Sequence, residues 1–340
     1  MTNETDSARL PHSELGRSFL AKYNEATAAV HMGVLGLDDI IEQVFIAMLG
    51  DGHVLLEGEP GVGKTLLVST FARTVDAAVK RVQFTPETYP GDLYYSIGSF
   101  DTADERGRKI TETVLAPGPI FTQILIGDEI NRAPARVHAP LLEPLEEKRV
   151  TIEGKTLDVG PFYFFAATQN PVESAESTNE LPEALRERFM LLTHVPYPMP
   201  ELLRRIAVFD TRHREIPALL KVNDIVAIQN AILEDYVLTR HHDDPVIRYV
   251  QRLITGIHEH PANSWGPGIR AGQDLTRAAA VHAFLKGRSR ITFDDVRAMA
   301  GPALRFKFAR NLRKSRELGV TGNDRLIADV LASVPIAQAS

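Results

Sequence analysis

The chain has 340 residues, a formal net charge of −6 and no cysteine, with 44% hydrophobic and 24% charged residues. That composition suits one large or two modest globular domains with a sizeable core. It excludes disulfides, cysteine–zinc sites and a cysteine nucleophile, and it lacks the basic excess of a nucleic-acid-coating protein. The opening MTNETDSARL is polar and acidic, unlike a secretory signal, and no apolar run reaches 18 residues. The expected location is therefore cytoplasmic, with no membrane span.

Residues 1–13 read as a polar, disordered tail. From Ser13 to Gly50 apolar residues recur at helical spacing. Leu15, Phe19, Tyr23, Ala26 and Val30 form one stripe; Ile40, Ile41, Val44, Phe45 and Met48 form a second. The rhythm then changes. His53–Glu57 reads as a buried strand, and Lys80–Phe84, Gln123–Ile126, Phe162–Ala167 and Leu191–Val195 as further strands, with short apolar runs and helical stretches alternating. Such runs predict a parallel sheet covered on both faces, that is, a doubly wound αβα layer structure. Residues 85–119, rich in Pro and Gly, interrupt the pattern, and 150–160 read as a hairpin turning near Gly154 and Lys155. After PYPMP at 196–200 only helical patterns remain. The expected domains are thus an αβα core over 14–198 and a helical domain over 199–335. Asn223 is expected to cap one of its helices, and Thr292 with Asp295 to form a capping box at another.

Residues 58–65 read GEPGVGKT, a GxxxxGK[ST] loop between a predicted strand and a predicted helix. Gly58, Glu59, Pro60, Gly61, Val62 and Gly63 can curl so that successive amides point at phosphate oxygens. The helix that follows adds partial positive charge at its start. Lys64 neutralises β and γ oxygens, and Thr65 offers a hydroxyl to Mg2+. ATP and Mg2+ are the expected ligands.

The run ILIGDE ends a predicted strand in an acidic pair. Downstream of such a loop, Asp128 is expected to hold Mg2+ and Glu129 to polarise the attacking water. Asn131 and Arg132 follow, then a helix from Ala135 to about Glu147 whose charges, Glu143, Glu146, Glu147 and Lys148, read as a solvated face. Asn170, just past the strand FYFFAAT, either reaches a γ-phosphate or simply turns the chain before Pro171. Arg188, or alternatively Arg186, ends a short helix where an arginine projects outward or balances the helix dipole. Arg270 precedes a helix of the second domain and is read as able to fold back on the phosphates of its own subunit. His241, His242, Asp243 and Asp244 lack metal-ligand spacing and read as a solvated turn. Tyr94, Tyr95 and Phe100 mark the insert as a contact surface or as packing. Arg106, Arg108 and Lys109 read as a solvated loop.

Taken together, HVLLEGEPGVGKT, DEINRAP, ATQNP and the later LPEA and RF resemble the MoxR family, within the helix-2-insert clade of AAA+ ATPases. The likeness covers roughly residues 30–310. It implies that residues 85–119 are the helix-2 insert and 150–160 the pre-sensor hairpin. It also implies that Asn170 is sensor 1, Arg188 a finger acting on a neighbouring subunit, and Arg270 sensor 2. It further implies ATP hydrolysis by a ring, usually a hexamer, that remodels a protein partner, often one carrying a von Willebrand factor A domain. A metal-chelatase-type motor and a nucleic-acid-stimulated motor are the alternatives. Three positions depart from the family pattern: Pro267–Ile269 before Arg270, Arg186 and Glu187 before Arg188, and Phe306 with Lys307 where the lid motif often ends in His-Arg.

Overall fold

The computed structural model describes residues 10–103, 109–171, 179–209, 215–310 and 322–336. Helix α1 (Glu14–Gly33) starts where the Ser13 hydroxyl accepts from the Gly16 amide at 3.1 Å, an N-cap that satisfies one of the helix's open amides. It buries Phe19, Tyr23, Ala26 and Val30, while Leu15, the first member of the expected stripe, is exposed. Helix α2 (Asp38–Leu49) is buried along most of its length. Of the expected tail over 1–13, residues 1–9 lie outside the described residues, but Leu10 is buried. The Leu10 carbonyl accepts from the Tyr236 hydroxyl at 2.8 Å.

Strands β1 (Val54–Glu57), β3 (Val79–Gln83), β6 (Ile124–Asp128), β9 (Phe164–Gln169) and β10 (Leu191–His194) form one all-parallel sheet in the order β10-β1-β9-β6-β3. Alternate residues of each central strand enter two separate cores. Val54 and Leu56 face α1, α2 and α3 (Lys64–Arg73); Leu55, Phe165 and Leu192 face α5 (Ala135–Glu147) and α6 (Glu183–Arg186). Burial on both faces is why β1, β6, β9 and β10 read as continuous apolar runs; β3, at the edge of the sheet, is not buried and alternates exposed with half-buried residues. The register aligns Glu57 with Gln169 and His194, and Gln83 with Asp128, so one row of side chains crosses the C-terminal edge of the sheet.

Strand β2 (Val75–Asp76) follows α3. The segment that reads as an interruption contains a helical turn, α4 (Gly91–Tyr94), and an antiparallel hairpin, β4 (Tyr95–Ala103) with β5 (Lys109–Pro117). Its strands were not legible because they pair only with each other, outside the buried sheet. Arg106 and Arg108 lie outside the described residues. The hairpin β7 (Arg149–Ile152) and β8 (Lys155–Asp158) turns through Glu153 and Gly154 at positive φ, close to the expected position.

Beyond α7 (Pro200–Ala207) the described residues are mostly helical, with three short strands. Strand β11 (Leu220–Lys221) pairs with β2 and holds the backbone extended up to Lys221. Helix α8 (Val222–Ile232) therefore begins before Asn223, which does not cap it; Lys221 occupies the cap without a side-chain bond. Helix α9 (Pro245–Glu259) is capped by Asp244, which accepts from the Val246 amide at 2.8 Å. That gives the last residue of the HHDD run a structural role. The short strand β12 (Asn263–Trp265) leads to α10 (Ile269–Leu285). Helix α11 (Phe293–Leu304) opens with the capping box of Thr292 and Asp295. Strand β13 (Ala309–Arg310) pairs with β12, and α12 (Gly322–Ser333) closes the described chain.

Candidate active site

The loop after β1 reaches α3 through Gly61 and Gly63, at φ 84° and 92°. Residues with a Cβ adopt that region at a cost. A Cβ at either position would meet open space, so the loop interior is left clear. Lys64, at the start of α3, donates to the Gly58 carbonyl at 2.6 Å, the Glu59 carbonyl at 2.8 Å and Asn170 Oδ1 at 3.0 Å. Burial lowers the Lys64 pKa, while Glu129, Glu57 and Asp128 pull it back up. Phosphate oxygens are stronger acceptors for this ammonium than the carbonyls it holds.

Asp128 ends β6 and is buried. Its Oδ1 accepts from the Thr65 hydroxyl at 2.7 Å and from the Thr168 hydroxyl at 3.4 Å, and Oδ2 is ion-paired with Arg81. A hydroxyl and a carboxylate facing one another at the phosphate loop form the hard-oxygen donor set that Mg2+ takes, with the remaining positions filled by water and phosphate. The residues therefore fit Mg2+.

Glu129 stands at φ 53°, with its amide donating to Thr168 Oγ1 at 3.1 Å. A non-glycine residue held in the left-handed region stores backbone strain of a kind that clusters at active sites. Its carboxylate is held by Gln83 at 3.1 Å, Asn170 Nδ2 at 3.3 Å and Arg132 at 3.0 Å. The turn beneath it is anchored by His138, whose Nε2 lies 3.0 Å from the Ile130 carbonyl, and Asn131 donates to the Asn170 carbonyl at 2.8 Å. Lys64, Thr65, Asp128, Glu129 and Asn170, singled out separately in the sequence, are thus one bonded cluster. For Asn170, the turn reading and the phosphate reading meet: its carbonyl is tied down by Asn131 while its amide side chain faces Lys64 and Glu129.

Sequence reasoning missed Arg81, Gln83 and Thr168. Arg81 and Gln83 alternate onto one face of β3, but nothing in KRVQF reveals that β3 lies next to β6 rather than elsewhere in the sheet.

The arginines separate. Arg186 faces the lid: its guanidinium lies 6.0 Å from the Trp265 ring centre, and it lines a cavity of about 300 Å³ with Glu57, His194 and Arg305. Arg188 instead pairs with Glu146 at 2.5 Å, and Arg270 pairs with the other oxygen of the same carboxylate. Arg188, Arg270 and Glu146 line a second cavity, of about 240 Å³, together with Gly52, His53 and Met190. His53 precedes β1 and Gly58 follows it. At about 3.3 Å per residue, roughly 16 Å of strand separates this cavity from the phosphate loop. The expectation that Arg270 folds back on its own phosphates is therefore not met, and Glu146 is an ion-pair hub rather than part of a solvated face. The physical reason is packing: the lid lies along β10, and the buried Lys307 ammonium bonds Asp274 of α10 at 2.8 Å and the Glu187 carbonyl at 2.9 Å. That contact fixes the start of α10 beside Arg188.

The upper cavity links lid and sheet as well. His194 bridges Glu57 at 3.2 Å and Asp324 of α12 at 3.6 Å, and Arg305 holds Asp324 at 2.9 Å. Bonds to Asp324 and Glu57 raise the His194 pKa against its burial. Burial pushes the Glu57 carboxyl up, but His194 and Gln169 outweigh it and the pKa falls.

The profile of the ATPase family associated with various cellular activities (AAA) matches residues 53–191, and that of the AAA lid domain matches 257–324. The chain is 35% identical over 287 residues to the chaperone MoxR1 of Mycobacterium tuberculosis, covering 81% of this chain and 72% of that protein. It is 31% identical over 307 residues to the protein MoxR of Paracoccus denitrificans, covering 84% and 87%. A solved structure of an ATPase from Cytophaga hutchinsonii superposes with a TM-score of 0.79 at 29% identity, covering 96% of this chain and 98% of that one. With the phosphate loop, acidic pair and lid all in place, the chain belongs to the MoxR family of AAA+ ATPases and hydrolyses ATP.

Proposed function

We propose that this ATPase works as a ring, a hexamer by family likeness, in which Arg188 and Arg270 of one subunit serve the phosphates bound by the next. The observation that carries this reading is the separation just described. Both arginines share Glu146 at the N-terminal end of the strands, while Lys64, Thr65 and Asp128 stand at the C-terminal end. A cation aimed at the developing γ-phosphate charge accelerates phosphoryl transfer by about 10³–10⁵, and within one subunit neither arginine is placed to supply it. Arg188 is the better finger than Arg186, which is turned toward Trp265 of its own lid.

Within the site, Lys64 takes the β and γ oxygens, and Thr65 with Asp128 holds the Mg2+ that accompanies ATP. Glu129 draws a proton from the attacking water, and Asn170 orients that water. Turnover drives the remodeling of a protein client, as the name of the mycobacterial relative, a chaperone, suggests. A partner with a von Willebrand factor A domain fits the family likeness, and the supply of Mg-ATP suits the cytoplasm.

The test is ATP turnover per chain against protein concentration, with mass measured in parallel, for the wild type, Glu129→Gln and Arg188→Ala. Activity per chain should rise as the ring forms, and both substitutions should abolish it. Flat activity per chain with a silent Arg188→Ala would sink the shared-site reading.

A further inference from the structure

Glu146 carries a negative charge in the last turn of α5, a turn that contains no basic residue. Arg270 carries a positive charge in the first turn of α10, a turn that contains no acidic one. The helix dipole opposes each placement, because helix C-termini disfavour anions and N-termini disfavour cations. Their mutual pairing offsets both placements, and Asp274, one turn further along α10, also attracts Arg270. Arg188 joins them from the end of α6. One carboxylate oxygen holds Arg188 at 2.5 Å and the second oxygen holds Arg270, so two guanidiniums sit side by side on one carboxylate.

The group is about one-fifth to one-third exposed, with side-chain exposures of 19%, 34% and 36% for Arg188, Arg270 and Glu146. Among the described residues, Arg188 Nε is enclosed without a hydrogen-bond partner, and its Nη1 has only a 3.4 Å contact with the Ala184 carbonyl. The three side chains alone carry one net positive charge and keep unused donors, while Asp51, Glu187 and Asp274 also line their cavity. One arginine belongs to the core and the other to the lid. Without a carboxylate between them, like charge would drive the two guanidiniums apart.

We propose that Glu146 is the positioning residue that presents Arg188 and Arg270 as a single pair to the phosphates of the neighbouring subunit. This rests on the shared-site reading above. Glu146 does not itself touch nucleotide; it sets where two cations stand. A displacement of about 1 Å in such a group costs up to about a hundredfold in rate.

The experiment measures steady-state hydrolysis of Mg-ATP by assembled Glu146→Gln, Arg188→Ala and Arg270→Ala. It also includes equal mixtures of Glu146→Gln with Glu129→Gln. Glu146→Gln should lower kcat by ten- to a hundredfold while KM for ATP moves less than twofold, because the phosphate loop is untouched. In the mixtures, Glu146→Gln subunits supply intact hydrolytic sites and Glu129→Gln subunits supply intact arginine pairs. Activity there should exceed the sum of the two separate samples severalfold. Mixtures that show no recovery would place the defect inside the Glu146→Gln subunit and overturn the proposal. So would full kcat in Glu146→Gln beside a dead Arg188→Ala, with the shared-site reading left standing. Full activity in both arginine variants would remove that reading and the proposal together. If Glu146→Gln does not assemble, Glu146→Asp is measured in the same mixtures. Its shorter carboxylate reaches one guanidinium at a time, so it should show the same kcat loss and the same recovery.

Discussion

Lys307→Met tests the lid contact that places the arginines. The Lys307 side chain is 2% exposed and that of Asp274 17%, with 2.8 Å between their charged atoms. Burial lowers the Lys307 pKa and raises that of Asp274, and their mutual attraction opposes both shifts. Methionine fills the space of the lysine stem but leaves Asp274 without its ion-pair partner. Breaking a buried pair in this way costs about 3–5 kcal/mol. Protonation sets a ceiling: neutralising an aspartate of unfolded pKa about 3.9 at pH 7 costs about 4 kcal/mol. The expected loss is therefore about 3–4 kcal/mol at pH 7. In the variant, the folded pKa of Asp274 lies above its unfolded value, so the penalty is absent below about pH 4 and grows as pH rises, by up to about 1.4 kcal/mol per unit. Denaturant unfolding at pH 7 and pH 5 reads both terms, and the gap from wild type should narrow on acidification. Lys307→Met with Asp274→Leu should recover most of the loss, since apolar pairs replace buried ion pairs at little cost. A loss below about 1 kcal/mol at pH 7, or a gap that widens at pH 5, would refute the buried-pair account.

His194 predicts a second pH dependence, of opposite use. Its folded pKa is raised by Asp324 and Glu57, so the stability it adds is full below its unfolded value of about 6.5 and is lost as pH rises through the folded value. Unfolding free energies from pH 6 to 9 should fall in the wild type relative to His194→Gln; parallel curves would discount the bridge. Glu129→Gln should retain ATP affinity while losing at least a hundredfold in kcat, a split read by nucleotide titration beside turnover; retained turnover would remove Glu129 from the water-activating role. Gly63→Ala places a Cβ at φ 92°, which should cost on the order of 1–2 kcal/mol and weaken ATP binding at least tenfold. Unchanged melting and affinity would show that the loop tolerates the side chain.

Much of the core was legible because its signals are local. The phosphate loop, the acidic pair and the capping box at Thr292 each lie within a few consecutive residues, and the two-faced burial of the sheet leaves continuous apolar runs. What was not legible depends on neighbours across the fold. Gln83 and Arg81 meet Glu129 and Asp128 only because β3 lies beside β6. Glu146 looks like any charge on a helix until α6 and α10 bring two arginines to it. The Phe306–Lys307 departure proves to be a working lid contact, with Phe306 in the core against the sheet and Lys307 on Asp274. Asn223 shows the reverse error: a good capping residue was overruled by a two-residue strand that set the helix cap two residues earlier, at Lys221.

The distribution of cations makes the case for a shared site independently of any relative. At the C-terminal row, Arg81 is committed to Asp128, Arg132 to Glu129 and Arg305 to Asp324. Moving any of them onto a γ-phosphate would strip a carboxylate that the site or the lid contact uses. Lys64 and Arg186 are exceptions: Lys64 holds two carbonyls and Asn170, and Arg186 lies over Trp265 in the cavity it lines with Glu57 and His194. At the opposite row, Arg188 and Arg270 share the single carboxylate of Glu146, in a cavity also lined by Asp51, Glu187, Asp274, Lys148 and Arg277. A protomer built this way separates its phosphate loop from the Arg188–Arg270 pair by the length of the sheet. In the shared site proposed above, one subunit's N-terminal row would meet the next subunit's C-terminal row, and hydrolysis would depend on assembly.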